Sequence, residues 1–259
     1  NGVMLRHNEV RMMEEAFRGL RTNLRFILSE KENVIACTSC IPGEGKTFVS
    51  TNLAMSLALL GKRVIIVGLD IRKPRLVKLF GLSSDHRGIT TFLSSNSGDF
   101  QDLDKQIHHA VLNPNLDVLP AGVIPPNPGE LISREQLDHA IALLREHYDY
   151  VIVDTPPVGL VSDTLSAARV ADMTIMVCRA DYSPRNNFQL INALHHDNKM
   201  PKITLVLNGI DLKKRKYGYY YGYGKYSKYG KYGHYGHYGH YGVYGHYGSH
   251  SSHDVHMEK

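Results

Sequence analysis

The sequence predicts one doubly wound α/β domain with a mostly parallel sheet, followed by a tail that builds no core. Short Val- and Ile-rich runs without polar alternation recur along the chain, as expected of strands covered on both faces. Helical patterns separate these runs, in the alternation of βα units. Apolar periodicity ends at Lys213, where Tyr and Gly take over. The domain is therefore expected over residues 1–211 and the tail over 212–259.

The first element is a helix over residues 8–29. Val10, Met13, Phe17, Leu20, Leu24, Ile27 and Leu28 fall on one stripe, and the other face carries charge. Strands follow at 34–39 (VIACTS), 63–69 (RVIIVGL), 115–120 (NLDVLP), 150–154 (YVIVD), 173–179 (MTIMVCR) and 203–208 (ITLVLN). Helices are expected from Lys46 to Leu60, Pro128 to His147 and Pro184 to His196. Pro and Gly break any regular pattern over Ser83 to Asp99 and over 121–130, which read as loops. From Tyr229 to Gly248 a Tyr-Gly-x unit repeats, with Lys, His or Val in the third place. It contains no Pro and its side chains form no core, so the tail is expected to be disordered rather than collagen-like.

The 259 residues are 42% hydrophobic and 21% charged with 3 Cys, which excludes collagen, coiled coil and disulfide scaffold. The formal charge of +5 is unevenly placed. From Leu212 to Lys259, 8 Lys and Arg face 2 acids, net +6, leaving 22 basic and 23 acidic residues, net −1, for the body. A partner inferred from net charge is thus a partner of the tail, which also holds 13 of the 16 Tyr. No run approaches the roughly 18 apolar residues of a membrane helix, and no basic-then-apolar leader opens the chain, so a soluble piece is expected. Its first residue is Asn, as in a fragment of a longer polypeptide. Cys37, Cys40 and Cys178 read as free thiols of a reducing compartment, because the CxxC has no second pair or nearby His to complete a zinc site.

CIPGEGKT, Cys40 to Thr47, sits between a predicted strand and a predicted helix, the context of a phosphate loop. Backbone N–H groups of Gly43 to Thr47 can wrap a β-phosphate at the positive end of the helix. Nucleotide contacts are placed on Pro42, Gly43, Glu44, Gly45, Lys46, Thr47 and Phe48. Lys46 would bridge the β- and γ-phosphates of ATP, and the Thr47 hydroxyl would ligate Mg²⁺. Cys40 stands where the usual pattern has its first Gly. Two more strands end in acids, Asp70 (with Arg72 beyond it) and Asp154, and in an open parallel sheet such ends converge on one crevice. Asp154 is expected to hold Mg²⁺ through water, and Asp70 to be a second acid near the γ-phosphate and metal. Arg72 either neutralises phosphate or pairs with a carboxylate.

In this order the motifs resemble the bacterial tyrosine kinases (BY-kinases) that pair with polysaccharide-export machinery. The resemblance covers Glu15 to Asp211 and the tail. EAFRGLRTN is similar to the family's ExxRxxR motif at Glu15, Arg18 and Arg21. PGEGKT, Asp70-x-Arg72 and DTPP at Asp154 resemble its three Walker-type motifs. PPNPGELI at 125–132 and LVSD at 160–163 are also similar, and the Tyr cluster resembles its autophosphorylation tail. The resemblance implies a P-loop NTPase fold and an ATP- and Mg²⁺-dependent protein-tyrosine autokinase. Lys46, Asp70 and Asp154 are its expected catalytic groups, with Asp70 the candidate base, and Asn208 is placed against adenine. Glu15, Arg18 and Arg21 are expected to pack on the neighbouring subunit of a homo-oligomeric ring, an octamer among the sizes considered. Implied partners are a membrane activator domain on the same or a separate chain, a cognate tyrosine phosphatase and polysaccharide-biosynthesis proteins, without nucleic acid. The implied location is a cytoplasmic domain of an inner-membrane protein.

Two departures stand out. The family's DxDxR has Gly68 in place of its first Asp, so that carboxylate's role passes to Asp70 or Asp154 or is lost. The signature Lys of related partitioning ATPases would fall at Ile41 and is absent, which disfavours an ATP-sandwich dimer. The expected acceptors are Tyr217, Tyr219, Tyr220, Tyr221, Tyr223, Tyr226, Tyr229, Tyr232, Tyr235, Tyr238, Tyr241, Tyr244 and Tyr247 of a neighbouring subunit. Two other readings compete: a P-loop ATPase switch without kinase activity, and a tail that binds nucleic acid through Lys and Tyr or metal through its repeated His.

Overall fold

The computed structural model describes residues 10–83, 85–95, 97–160 and 163–211. The chain divides into two units, Asn1–Asp211 and Leu212–Lys259, and the described residues all belong to the first. The predicted tail and its tyrosines therefore lie outside the described residues.

Strands β1 (Val34–Ser39), β2 (Val64–Gly68), β3 (Leu116–Leu119), β4 (Tyr150–Asp154), β5 (Met173–Arg179) and β6 (Ile203–Asn208) pair in parallel, in the order β3-β2-β4-β1-β5-β6. Such a sheet needs cover on both faces, and the continuous apolar runs supply it: every residue of β1 and β2 is buried. Helices α1 (Val10–Ile27) and α2 (Lys46–Ala58) cover one face. Phe17 and Leu24 of the first helix's apolar stripe join Leu53 and Leu57 over Ile35, Ile66, Ile152 and Ile175. Chain order reverses beside β1, which places the loop after β1 at the topological switch point.

The expected helix over Pro128 to His147 is two helices. Arg134 adopts an extended conformation (φ −70°, ψ 150°) between α6 (Pro128–Ser133) and α7 (Glu135–His147). The expected loop over Ser83 to Asp99 contains α4 (Ile89–Ser94), which buries Ile89, Phe92 and Leu93; one and a half turns are too short to display a helical period. Three further short helices, α3 (Leu76–Phe80), α5 (Phe100–Asp104) and α8 (Asp163–Ala168), also exceed the sequence expectation for the same reason. With α4, α6 and α7, α5 and α8 cover the second face, and α9 (Asn187–His196) covers it beside β5, where Ile191 and Leu194 meet Met176 and Cys178. Helix α2 stops short of the expected Leu60 because Gly61 turns left-handed (φ 76°) and its N–H caps the Ala58 carbonyl. Among the described residues no helix is long and apolar enough to cross a membrane.

One buried histidine makes stability depend on pH. His108 bridges the edge of the sheet through reciprocal backbone bonds with Val118, and its Nδ1 lies 3.1 Å from Arg87 Nη2, so Nδ1 accepts. Burial, and then the charge of Arg87, push its pKa below the ordinary 6.5. Asp85, at 3.7 Å from Nε2, opposes this without forming a hydrogen bond. The fold thus disfavours protonation of His108 relative to the unfolded chain, which takes up a proton near pH 6.5. Stability is expected to be present above that pH and to fall as pH drops below it. Urea unfolding of the parent and of His108→Gln at pH 7.5 and 5.5 checks this: the variant should lose part of the pH dependence.

Candidate active site

Strand β1 ends at Ser39, and the chain then turns through 40–45 into α2. The loop is braced from within by Glu44, whose fully buried carboxylate accepts from the Ile41 N–H at 2.8 Å and the Asn187 amide at 3.5 Å, and also from the Ser183 hydroxyl. Glu44 thus ties the loop to the start of α9 through its side chain, and its backbone N–H remains the group expected to face a nucleotide. Glu44→Ala would strand these donors and is expected to cost about 2–4 kcal/mol, read by urea unfolding. The Phe48 ring packs edge-on against Phe17 at 6.2 Å, on α1. Cys40, in the place of the usual first Gly, points into the core under α9, where burial, with Glu44 and Cys178, pushes its thiol up to about 12. That is an inert thiol.

Four of the predicted residues form one chain of contacts at the carboxyl ends of β1, β2 and β4. Lys46 Nζ donates to Asp70 Oδ2 at 2.8 Å and lies 3.3 Å from Thr47 Oγ1, which donates to Asp154 Oδ2 at 2.9 Å. Asp154 is held from behind, because its carbonyl accepts from the N–H groups of Leu69 and Asp70. Burial, the largest influence, raises the Asp154 pKa, while Lys46 and Thr47 act to lower it. Its Oδ1 is buried without a hydrogen-bond partner. A buried acceptor left open, beside a threonine hydroxyl, suits a hydrated cation. Among the described residues no three His, Cys, Asp or Glu side chains gather to hold a metal unaided, so the nucleotide's phosphates would complete the coordination of Mg²⁺.

The other predicted residues separate from this chain. Arg72 pairs with a carboxylate rather than standing free for phosphate: its Nε and Nη2 reach the two oxygens of Asp163, at 2.7 and 3.2 Å. Asp163, nearly buried at the start of α8, is the acid of the LVSD segment; Val161 and Ser162 lie outside the described residues. Asn208 ends β6, and its Nδ2 donates to the Glu44 carbonyl at 2.9 Å, which ties the end of β6 to the loop. Glu15 and Arg18 form an exposed pair at 3.2 Å on α1, whereas Arg21 turns inward to the carbonyl and hydroxyl of Ser56. Gly68 lies in register with Asp154, and a Cβ there would meet Leu76 Cδ1 at 3.1 Å and the Ala121 nitrogen at 3.2 Å. The missing Asp is thus accompanied by packing closed around glycine.

Arg179, Tyr182, Ser183 and Asn187, none of which was singled out by the sequence reading, all touch the loop. They lie at the end of β5 and just after it without any motif, and the pairing of β5 with β1 brings them there.

A family profile described as an AAA domain matches residues 32–205. Tyrosine-protein kinase CpsD of Streptococcus agalactiae is 33% identical over 218 residues, 84% of this chain and 92% of that protein. The chain belongs to the bacterial tyrosine kinase family. Tyrosine-protein kinase etk of Escherichia coli K12 is 33% identical over 80% of this chain, which spans only 28% of that longer relative. The solved kinase domain of Escherichia coli ETK superposes with a TM-score of 0.74 at 30% identity, covering 81% of this chain and 80% of that one. The parallel sheet and the expected family are therefore both found.

Proposed function

We propose that this domain transfers the γ-phosphoryl group of ATP to tyrosines in the tail of a neighbouring copy. The observation that carries this reading is the continuous contact chain Asp70–Lys46–Thr47–Asp154 beneath a phosphate loop, in a chain that also carries 13 tyrosines in its tail. Lys46 leaves Asp70 for the β- and γ-phosphates when ATP binds. That exchange frees the Asp70 carboxylate to receive the phenol proton as the tyrosine oxygen takes the phosphoryl group and ADP departs. Thr47, and Asp154 through water, would hold Mg²⁺, which neutralises charge on the phosphates when bound. Alignment does most of the work, because a loose transition state asks little covalent help.

A tethered tail acts at an effective concentration in roughly the millimolar range, so weak recognition of many near-equivalent tyrosines suffices. Each phosphate adds about −1.5 to −2 charges, so about four cancel the tail's +6. The unphosphorylated tail, with Glu15 and Arg18 on the exposed side of α1, holds a homo-oligomeric ring together, and the phosphorylated tail releases it. Arg21 contributes by fixing α1 on α2. A membrane activator domain, a tyrosine phosphatase and polysaccharide-biosynthesis proteins are the partners this cycle would serve, at the cytoplasmic side of an inner membrane. Light scattering before and after ATP with Mg²⁺ tests the assembly: mass should fall as phosphotyrosine accumulates. An unchanged mass with several phosphotyrosines per chain rejects ring release.

A further inference from the structure

The phosphate loop is held from outside by a clamp. The carbonyls of three consecutive residues each accept from a side chain at the end of β5, just after it, or at the end of β6. Tyr182 Oη donates to Pro42 O at 3.0 Å, Arg179 Nη1 to Gly43 O at 3.1 Å and Asn208 Nδ2 to Glu44 O at 2.9 Å. The Arg179 guanidinium also lies 5.1 Å from the centre of the Tyr182 ring, so two of the three donors support each other. A trans peptide carries its N–H opposite its C=O. Fixing those three carbonyls outward therefore fixes the N–H groups of Gly43, Glu44 and Gly45 inward. Among the described residues none of these three N–H groups meets an acceptor in the chain.

We propose that Arg179 and Tyr182, together with Asn208, are positioning residues for the nucleotide, orienting three successive peptide planes of the loop toward its phosphates. The inference rests on the nucleotide-binding part of the proposed function and does not depend on phosphoryl transfer. Each donor meets a backbone carbonyl of the loop, so its effect on a bound phosphate would run through the peptide plane. Losing one lets a peptide plane rotate, and the inward N–H is then shared between orientations. A cradle of aligned N–H groups binds an anion through their summed dipoles, so affinity suffers more than folding.

The test is ADP·Mg²⁺ affinity by calorimetry on the full chain, alongside thermal unfolding without nucleotide. Tyr182→Phe removes one donor and nothing else, and is expected to weaken binding about threefold to tenfold. Arg179→Ala combined with Tyr182→Phe should weaken it further, and Arg179→Lys should recover part of the Arg179 share, since an ammonium can still donate to Gly43. Asn208→Asp sets an acceptor against the Glu44 carbonyl and should be the most damaging single change. The phosphorus NMR resonance of the bound β-phosphate should shift in these variants, and KM for ATP should rise more than kcat falls. Unchanged affinity in the double variant would overturn the clamp. So would an affinity loss that only follows a lowered unfolding temperature and is not recovered by Arg179→Lys. If the parent chain itself binds no ADP, the nucleotide reading fails and the clamp falls with it, whereas ADP binding without tail phosphorylation leaves the clamp standing and rejects the kinase reading.

Discussion

Lys46→Met is expected to lower phosphotyrosine formation on the tail by about 10³-fold, because the loop loses the charge that bridges the β- and γ-phosphates. The structure adds a second consequence. Lys46 and Asp70 are only 11% and 12% exposed, so removing the lysine leaves a nearly buried carboxylate without its partner. Breaking such a pair typically costs about 3–5 kcal/mol. A dead Lys46→Met chain is therefore ambiguous by itself. Lys46→Met combined with Asp70→Asn removes both charges and should regain much of the lost stability while remaining inactive. Urea unfolding together with radiolabel transfer separates the two effects: stability recovers in the double variant and transfer does not.

Gly45→Ala is expected to weaken ADP·Mg²⁺ binding by at least about 100-fold. The backbone at Gly45 is left-handed (φ 99°), a conformation that costs a residue with a side chain, and an added Cβ would sit 2.1 Å from Asn208 Nδ2. Asn208 would be driven from the Glu44 carbonyl, so strain and loss of loop orientation arrive together. Gly45→Ala with Asn208→Ala relieves the contact but neither the backbone strain nor the lost donor, so calorimetry should show only partial recovery.

How far the sequence could be read depended on the length scale of the signal. The central strands were legible because buried parallel strands are written as Val- and Ile-rich runs, as in β1, β2 and β4, and α1 because its stripe of Met13, Phe17, Leu20 and Leu24 spans several turns. Helices of five or six residues, such as α4 around Phe92, carry too few turns for a period to register, and so read as loop. The break at Arg134 was invisible because no Gly or Pro marks it.

The site divides along the same line. Lys46, Thr47, Asp70 and Asp154 were found because strand ends and a phosphate loop are sequence-local signals, and the sheet order brings them together. Arg179, Tyr182 and Ser183 belong to the site through the pairing of β5 with β1, and spacing along the chain does not encode that pairing. Side-chain direction was the other blind spot. Glu44, Phe48 and Asn208 occupy expected positions, yet Glu44 and Phe48 point into the protein and Asn208 onto the loop.

The central claim is that the tail is the enzyme's own substrate. Mass spectrometry of the full chain after incubation with ATP and Mg²⁺, with the Lys46→Met/Asp70→Asn chain as control, tests it most directly. The account predicts phosphate on several tyrosines between Tyr217 and Tyr247 in the parent and on none in the control. ATP consumed by the parent with those tyrosines unmodified would contradict it.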